Sequence, residues 1–146
     1  MNIYSKIIHI TSYIMSLANA KTIVKGLLST SIVPGTFMTL MGVGLIPVDD
    51  KLASIAAPFI GPIGLPFRAF VCVLGPCKIL GALGLWEIGP LPEWFARIGL
   101  TVAASCAAYG HSSIGDPVIP PLGYIGLMFV LYALDYVETG KGAKKE

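Results

Sequence analysis

The sequence predicts an all-α integral membrane protein, a four-helix bundle preceded by an N-terminal amphipathic helix. Three observations lead there. Of 146 residues, 55% are hydrophobic and only 12% charged, whereas soluble domains carry roughly 25% charged residues. The 17 glycines and 11 prolines suit membrane helices, whose small residues let backbones approach closely. Apolar stretches of crossing length then recur along the chain, separated by short links rich in Pro and Gly. The length holds one domain of four spans and leaves no room for a second globular one. A net charge of +2 gives no argument for a nucleic-acid partner.

Residues 1–20 place Ile3, Ile7, Ile10, Ile14 and Leu17 on one helical stripe, with Asn2, Lys6, His9, Ser12, Ser16 and Asn19 largely opposite. That pattern predicts a helix lying on the membrane surface. The rival reading is a secretory signal, with Lys6 in its n-region and Ala18-Asn19-Ala20 as a cleavage site; His9, Thr11 and Ser12 interrupt its apolar run. The membrane domain follows over residues 21–140, and residues 141–146 form a polar basic tail.

Span one is expected from about Thr22 to Ile46, kinked at Pro34-Gly35 and stopped by Pro47. Asp49 and Asp50 cap a short helix containing Lys51, Leu52 and Ile55. Pro58, Pro62 and Pro66, with Gly61 and Gly64, then hold off regular helix until span two. Span two runs from about Phe67 to Trp86, with Arg68 in its first turn and Pro76 inside it. Span three covers about Trp94 to His111 and span four about Ile119 to Val137. Trp86 and Trp94 read as interfacial anchors. Gly99, Ala103 and Ala107 recur every four residues and offer span three a flat packing stripe, with Gly81 a further packing position on span two. Cys72, Cys77 and Cys106 form no CxxC and read as buried, reduced packing residues.

Basic residues set the orientation. Lys6, Lys21 and Lys25 precede span one, and Lys141, Lys144 and Lys145 follow span four. An even number of spans puts both termini on one side, the cytoplasmic or equivalent side. Glu87, Glu93, Arg97 and Asp135 fall toward that side, and Arg68, His111, Asp116 and Asp49-Asp50-Lys51 share the other. Glu93 and Arg97, four apart, read as a surface pair at the membrane boundary. Asp135 reaches for the headgroups.

Lys78 is the outlier, an ionisable group near the middle of the apolar stretch from Phe70 to Trp86. At that depth it costs several kcal/mol and is expected to face a partner or cavity inside the bundle. Its bland alternative is a structural lysine that snorkels or bonds the carbonyls freed by Pro76. His111 and Asp116, with Arg68, form a candidate polar cluster above the core, or simply a loop-fixing network, because Gly115-Asp116-Pro117 is good turn chemistry.

Leu74-Gly75-Pro76-Cys77-Lys78-Ile79-Leu80-Gly81-Ala82-Leu83-Gly84-Leu85 is followed by Pro90-Leu91-Pro92-Glu93-Trp94-Phe95-Ala96-Arg97-Ile98-Gly99-Leu100, then Ala107-Ala108-Tyr109-Gly110-His111 and Gly115-Asp116-Pro117. This succession resembles the DoxX-like family of four-helix membrane proteins, whose second span carries Lys-x-x-Gly-x-x-x-Leu and whose third closes in a His followed shortly by Gly-Asp. The similarity covers about Leu74 to Leu134. That family often has a lysine near the end of span one; here Phe37-Met38-Thr39-Leu40-Met41-Gly42-Val43 leads to Gly44-Leu45 with none.

The resemblance implies a four-helix bundle serving as a subunit beside quinone-linked oxidoreductases, a component of redox assemblies, or an assembly chaperone. Lys78 then offers itself to a quinone carbonyl, an anionic lipid headgroup or a carboxylate. His111 is also a conceivable axial ligand for a haem or chlorophyll pigment, but His9, the only other histidine, lies toward the opposite side. No paired catalytic carboxylates, nucleophile elbow, phosphate loop or metal-ligand cluster appears in the sequence. The expectation is a non-catalytic accessory subunit or assembly factor, without resident metal or cofactor, whose partners are lipids and other integral membrane proteins.

Overall fold

The computed structural model describes residues 3–142, with side chains from 11 to 140. Helices are its only regular elements among those residues: α1 (Ile3–Ser29), α2 (Ile32–Gly42), α3 (Asp50–Ile60), α4 (Phe67–Gly84), α5 (Glu93–Ser113) and α6 (Ile119–Gly142). Three stretches are long and apolar enough to cross a membrane, Thr11–Gly42, Phe67–Gly84 and Ile119–Gly140. The sequence reading counts α5 as a fourth, but Glu93, Arg97, His111 and the hydroxyls of Thr101, Ser105, Ser112 and Ser113 keep it below that hydropathy. The lower part of the proposed amphipathic stripe, through Ile10, and the tail beyond 140 lie outside the described side chains.

Pro34 shapes the first crossing. It lacks an N–H, and its ring clashes with the carbonyl four residues back, at Thr30. The helix therefore breaks at Thr30-Ser31, one turn before the proline, and not at Pro34-Gly35 as expected. The Thr30 carbonyl accepts the Val33 N–H instead (3.1 Å), and Gly35 N–H to Ser31 C=O (3.0 Å) restarts the ladder. No boundary falls at residue 20 or 21, because α1 passes through it without interruption.

Asp49 caps α3 as expected, its Oδ1 accepting the Leu52 N–H at 2.7 Å. The helix runs on through Pro58 to Ile60, further than the sequence reading allows, since a proline in a last turn removes only one hydrogen bond. Pro76 likewise sits inside an unbroken α4. That helix ends in a Schellman closure: Glu87 N–H bonds Gly84 C=O and Ile88 N–H bonds Leu83 C=O, both at 3.1 Å. The closure needs a left-handed residue, and Glu87 takes it at φ 56°. A side chain there costs about 1 kcal/mol against glycine.

α4 and α5 form the centre. α2 lies along α4 in the most extensive helix contact, α5 packs between α4 and α6, α1 lies against α6, and α3 covers α5 with a smaller contact to α4. The kink thus sends the two halves of the first crossing to different neighbours. Glycine makes the α2–α4 contact possible: a Cβ on Gly75 would stand 2.6 Å from Thr39 N and 2.7 Å from Gly35 O.

Two separate hydrophobic cores result. Val24, Leu28, Leu85, Leu100, Met128 and Leu131 fill the one at the lower end, toward the start of α1 and the end of α6. Met38, Met41 and Val71, with Ile46, Leu52, Phe67, Phe70 and Leu74 around them, fill the upper one.

Two packing expectations need correction. The buried row of α5 is Ala96, Leu100 and Ala104, not Gly99, Ala103 and Ala107; a Cβ on Gly99 would meet nothing within 4 Å, while Gly81 does pack, against Leu100 at 2.9 Å. Cys72, Cys77 and Cys106 are free and exposed on outward faces. Both errors have one cause: in a membrane chain an apolar or small side chain suits the lipid face as well as the core.

Candidate functional site

Polar side chains gather in three layers. At the lower end each of three helices supplies two charges about one turn apart: Lys21 and Lys25 on α1, Glu93 and Arg97 on α5, Asp135 and Glu138 on α6. They interlock as a chain, Glu138–Lys21–Asp135–Arg97–Glu93–Lys25. Lys21 Nζ lies 2.6 Å from Glu138 and 2.5 Å from Asp135, Lys25 Nζ lies 2.8 Å from Glu93, and Arg97 pairs with both Asp135 and Glu93. Three cations meet three carboxylates, so the network is neutral. Its centre is Arg97, only 8% exposed, with its guanidinium carbon 5.4 Å from the Tyr132 ring centroid.

The sequence reading has Glu93–Arg97 as a surface pair and sends Asp135 to the headgroups. The structure instead turns Arg97 inward and makes Asp135 its second partner. Matching opposite charges one turn apart, at the same end of three helices, was the signal that would have found this network.

At the upper end His111 Nδ1 lies 2.6 Å from Asp116 Oδ2, and Lys51 Nζ from α3 lies 2.8 Å from Asp116 Oδ1. The Asp116 N–H also bonds the His111 carbonyl at 2.9 Å, closing the turn on the end of α5. The Lys51 ammonium first, and His111 after it, hold the Asp116 carboxyl below the usual carboxylate range. Arg68 does not join. It is exposed, and its Nη1 stands only 2.9 Å from where a Cβ on Gly44 would be. Lys51, read from sequence only as part of a capping segment, takes the role expected of Arg68.

Between the two cores lies Lys78. Its Cβ stands 3.1 Å from the Cβ position of Gly35 on α2, and the residue is partly buried. No hydrogen bond or ion pair reaches its amine among the described residues. One turn below Gly35 is Ser31, 8% exposed, whose hydroxyl is buried and also unbonded. It lies beside the Tyr124 phenol, outside hydrogen-bond geometry, while that phenol donates to the Leu28 carbonyl at 2.9 Å. The break in the first crossing thus coincides with a thin polar layer in an otherwise apolar bundle.

Two open grooves lie at the lower end. One, of about 310 Å³, is walled by Ala18, Lys21, Thr22 and Lys25 of α1, by Trp86 and Glu87 beyond α4, and by Glu138. The other, about 480 Å³, follows the link from Glu87 to Trp94. Neither reaches Lys78. Among the described residues no three His, Cys, Asp or Glu side chains come together as a metal site would require. Compared with known protein families, curated proteins and solved structures, the chain gives no match.

Proposed function

We propose that this chain is a non-catalytic, multi-pass membrane component, an accessory subunit or assembly factor that packs against larger proteins of a bioenergetic or redox complex. In this reading it is a DoxX-like bundle of four crossings, with α5 completing the set between α4 and α6. Both termini lie on the cytoplasmic-equivalent side, where the amphipathic segment before Lys21 meets the membrane surface. One observation carries the proposal: the charged groups at the two ends are largely spent on one another, while the outward faces are apolar. Ile23, Phe37, Val73, Val102, Phe129 and Tyr136 are all more than half exposed. Such a surface suits lipid and neighbouring helices. Solubilised gently from its native membrane, the protein is expected to run at a native mass above that of its monomer, with a co-purifying membrane protein. A lone monomer ends the proposal.

A second reading, a subunit of a quinone-linked oxidoreductase, draws on the unpartnered Lys78 amine and Ser31 hydroxyl. Quinone binding in detergent, compared between wild type and Lys78→Met, tests it; unchanged or absent binding removes it.

A further inference from the structure

We infer that the groove where α1 passes the end of α4 is a seat for a zwitterionic phospholipid headgroup, with phosphate on Lys25 and a primary ammonium on Glu87.

The lower ionic network marks a membrane boundary, because six charged side chains drawn from three helices would be prohibitively costly at mid-depth. Trp86, at the same level, is the residue type that sits among headgroups. Its indole N–H donates to Ser29 Oγ at 2.7 Å, which fixes the ring as one wall of the groove. The 310 Å³ space beside it therefore opens where headgroups are most concentrated.

The charges lining it are unequal in what they have left to offer. Lys21 spends two of its three donors on Asp135 and Glu138. Lys25 spends one on Glu93 and keeps two for a phosphate oxygen. Glu138 is engaged by Lys21. The Glu87 carboxylate makes no hydrogen bond or ion pair among the described residues. It is also the one non-glycine residue among them with positive φ, where glycine is the ordinary choice. A carboxylate kept at a strained helix end, unpaired, in the same groove as donors with spare capacity, offers the two poles that a zwitterionic headgroup needs.

The pattern selects among lipids. A purely anionic headgroup would meet the Glu87 and Glu138 carboxylates without compensation. A choline headgroup has no N–H to donate to Glu87. A phosphoethanolamine group satisfies both poles, and it can come from phosphatidylethanolamine or from soluble phosphoethanolamine.

The intact chain, purified in detergent, is titrated with phosphatidylethanolamine, phosphatidylcholine and phosphatidylglycerol of matched acyl chains, and bound lipid is counted by native mass spectrometry. Phosphatidylethanolamine is expected to bind about tenfold more tightly than the other two, as one charge-assisted contact would give. Glu87→Gln is expected to abolish that preference. Glu87→Gly is expected to abolish it too while raising the melting temperature, which separates the lost headgroup contact from misfolding. Equal binding of the three lipids by wild type, or a preference that survives in Glu87→Gln, overturns the inference. Displacement of bound lipid by millimolar free phosphoethanolamine overturns the lipid assignment in favour of the soluble compound, and failure to displace supports the lipid.

Discussion

Lys78 and Asp116 are both charged, and their surroundings give opposite accounts of what each contributes. Lys78 carries the cost of an amine taken from water without an ion pair in return. Lys78→Met keeps the stem that packs over Gly35 and removes the charge. It is expected to stabilise the protein in detergent by about 1–2 kcal/mol, read as an upward shift in thermal unfolding; a loss of stability would mean the amine has a partner. Asp116 gains from its surroundings, because its folded carboxyl is held below its unfolded value by Lys51 and His111. Its contribution is therefore present above the unfolded value of about 4 and is lost as pH falls through the lower folded one. Asp116→Asn removes that dependence. Melting temperature followed from neutral pH into acid should fall less steeply below about pH 4 in the variant than in wild type.

At the scale of elements, glycines that look alike in sequence have opposite roles. Gly75 lets α4 touch α2, so Gly75→Ala must push Thr39 and Gly35 aside and is expected to cost about 1–3 kcal/mol. Gly99 faces open space within α5, so Gly99→Ala is expected to be neutral or to stabilise by up to about 1 kcal/mol through helix propensity. Thermal unfolding of the two variants side by side checks the pair, and equal effects would contradict the α5 register. The sequence carried the caps and limits of the helices well: Asp49 as an N-cap, helix starts near Phe67 and Ile119, and the His111–Asp116 turn. It did not carry which face of α5 turns inward, since Gly99, Ala103 and Ala107 satisfy a small-residue rule as well as Ala96, Leu100 and Ala104 do. It also placed the kink at Pro34, although a proline acts on the carbonyl four residues before it. Beyond the Glu93–Arg97 pair, the lower ionic network was legible only as separate charges, because pairing them requires knowing that α1, α5 and α6 meet.

Across the whole molecule the two polar ends bracket an apolar belt. α4, at 18 residues, is about 27 Å long, close to the roughly 30 Å of a bilayer's hydrocarbon. Cys72, Cys77 and Cys106 all fall within that belt and face outward. In intact vesicles a charged maleimide is expected to leave all three unmodified, while denaturation in SDS exposes them to it; rapid labelling of the folded protein in vesicles would place these faces in water.

The bend imposed by Pro34 has a consequence for biosynthesis. The upper half of the first crossing finds its neighbour as soon as α4 has been made, but the lower half rests mainly on α6, which is made after α4 and α5. Until then Lys21 stands in the nascent chain without Asp135 or Glu138 beside it, and the entry segment is held by the lighter contacts of Lys25 with Glu93 and of Ser29 with Trp86. A chain truncated before α6 would keep its upper core and leave the lower half of the first crossing without its main neighbour, so that half is secured later than the upper one.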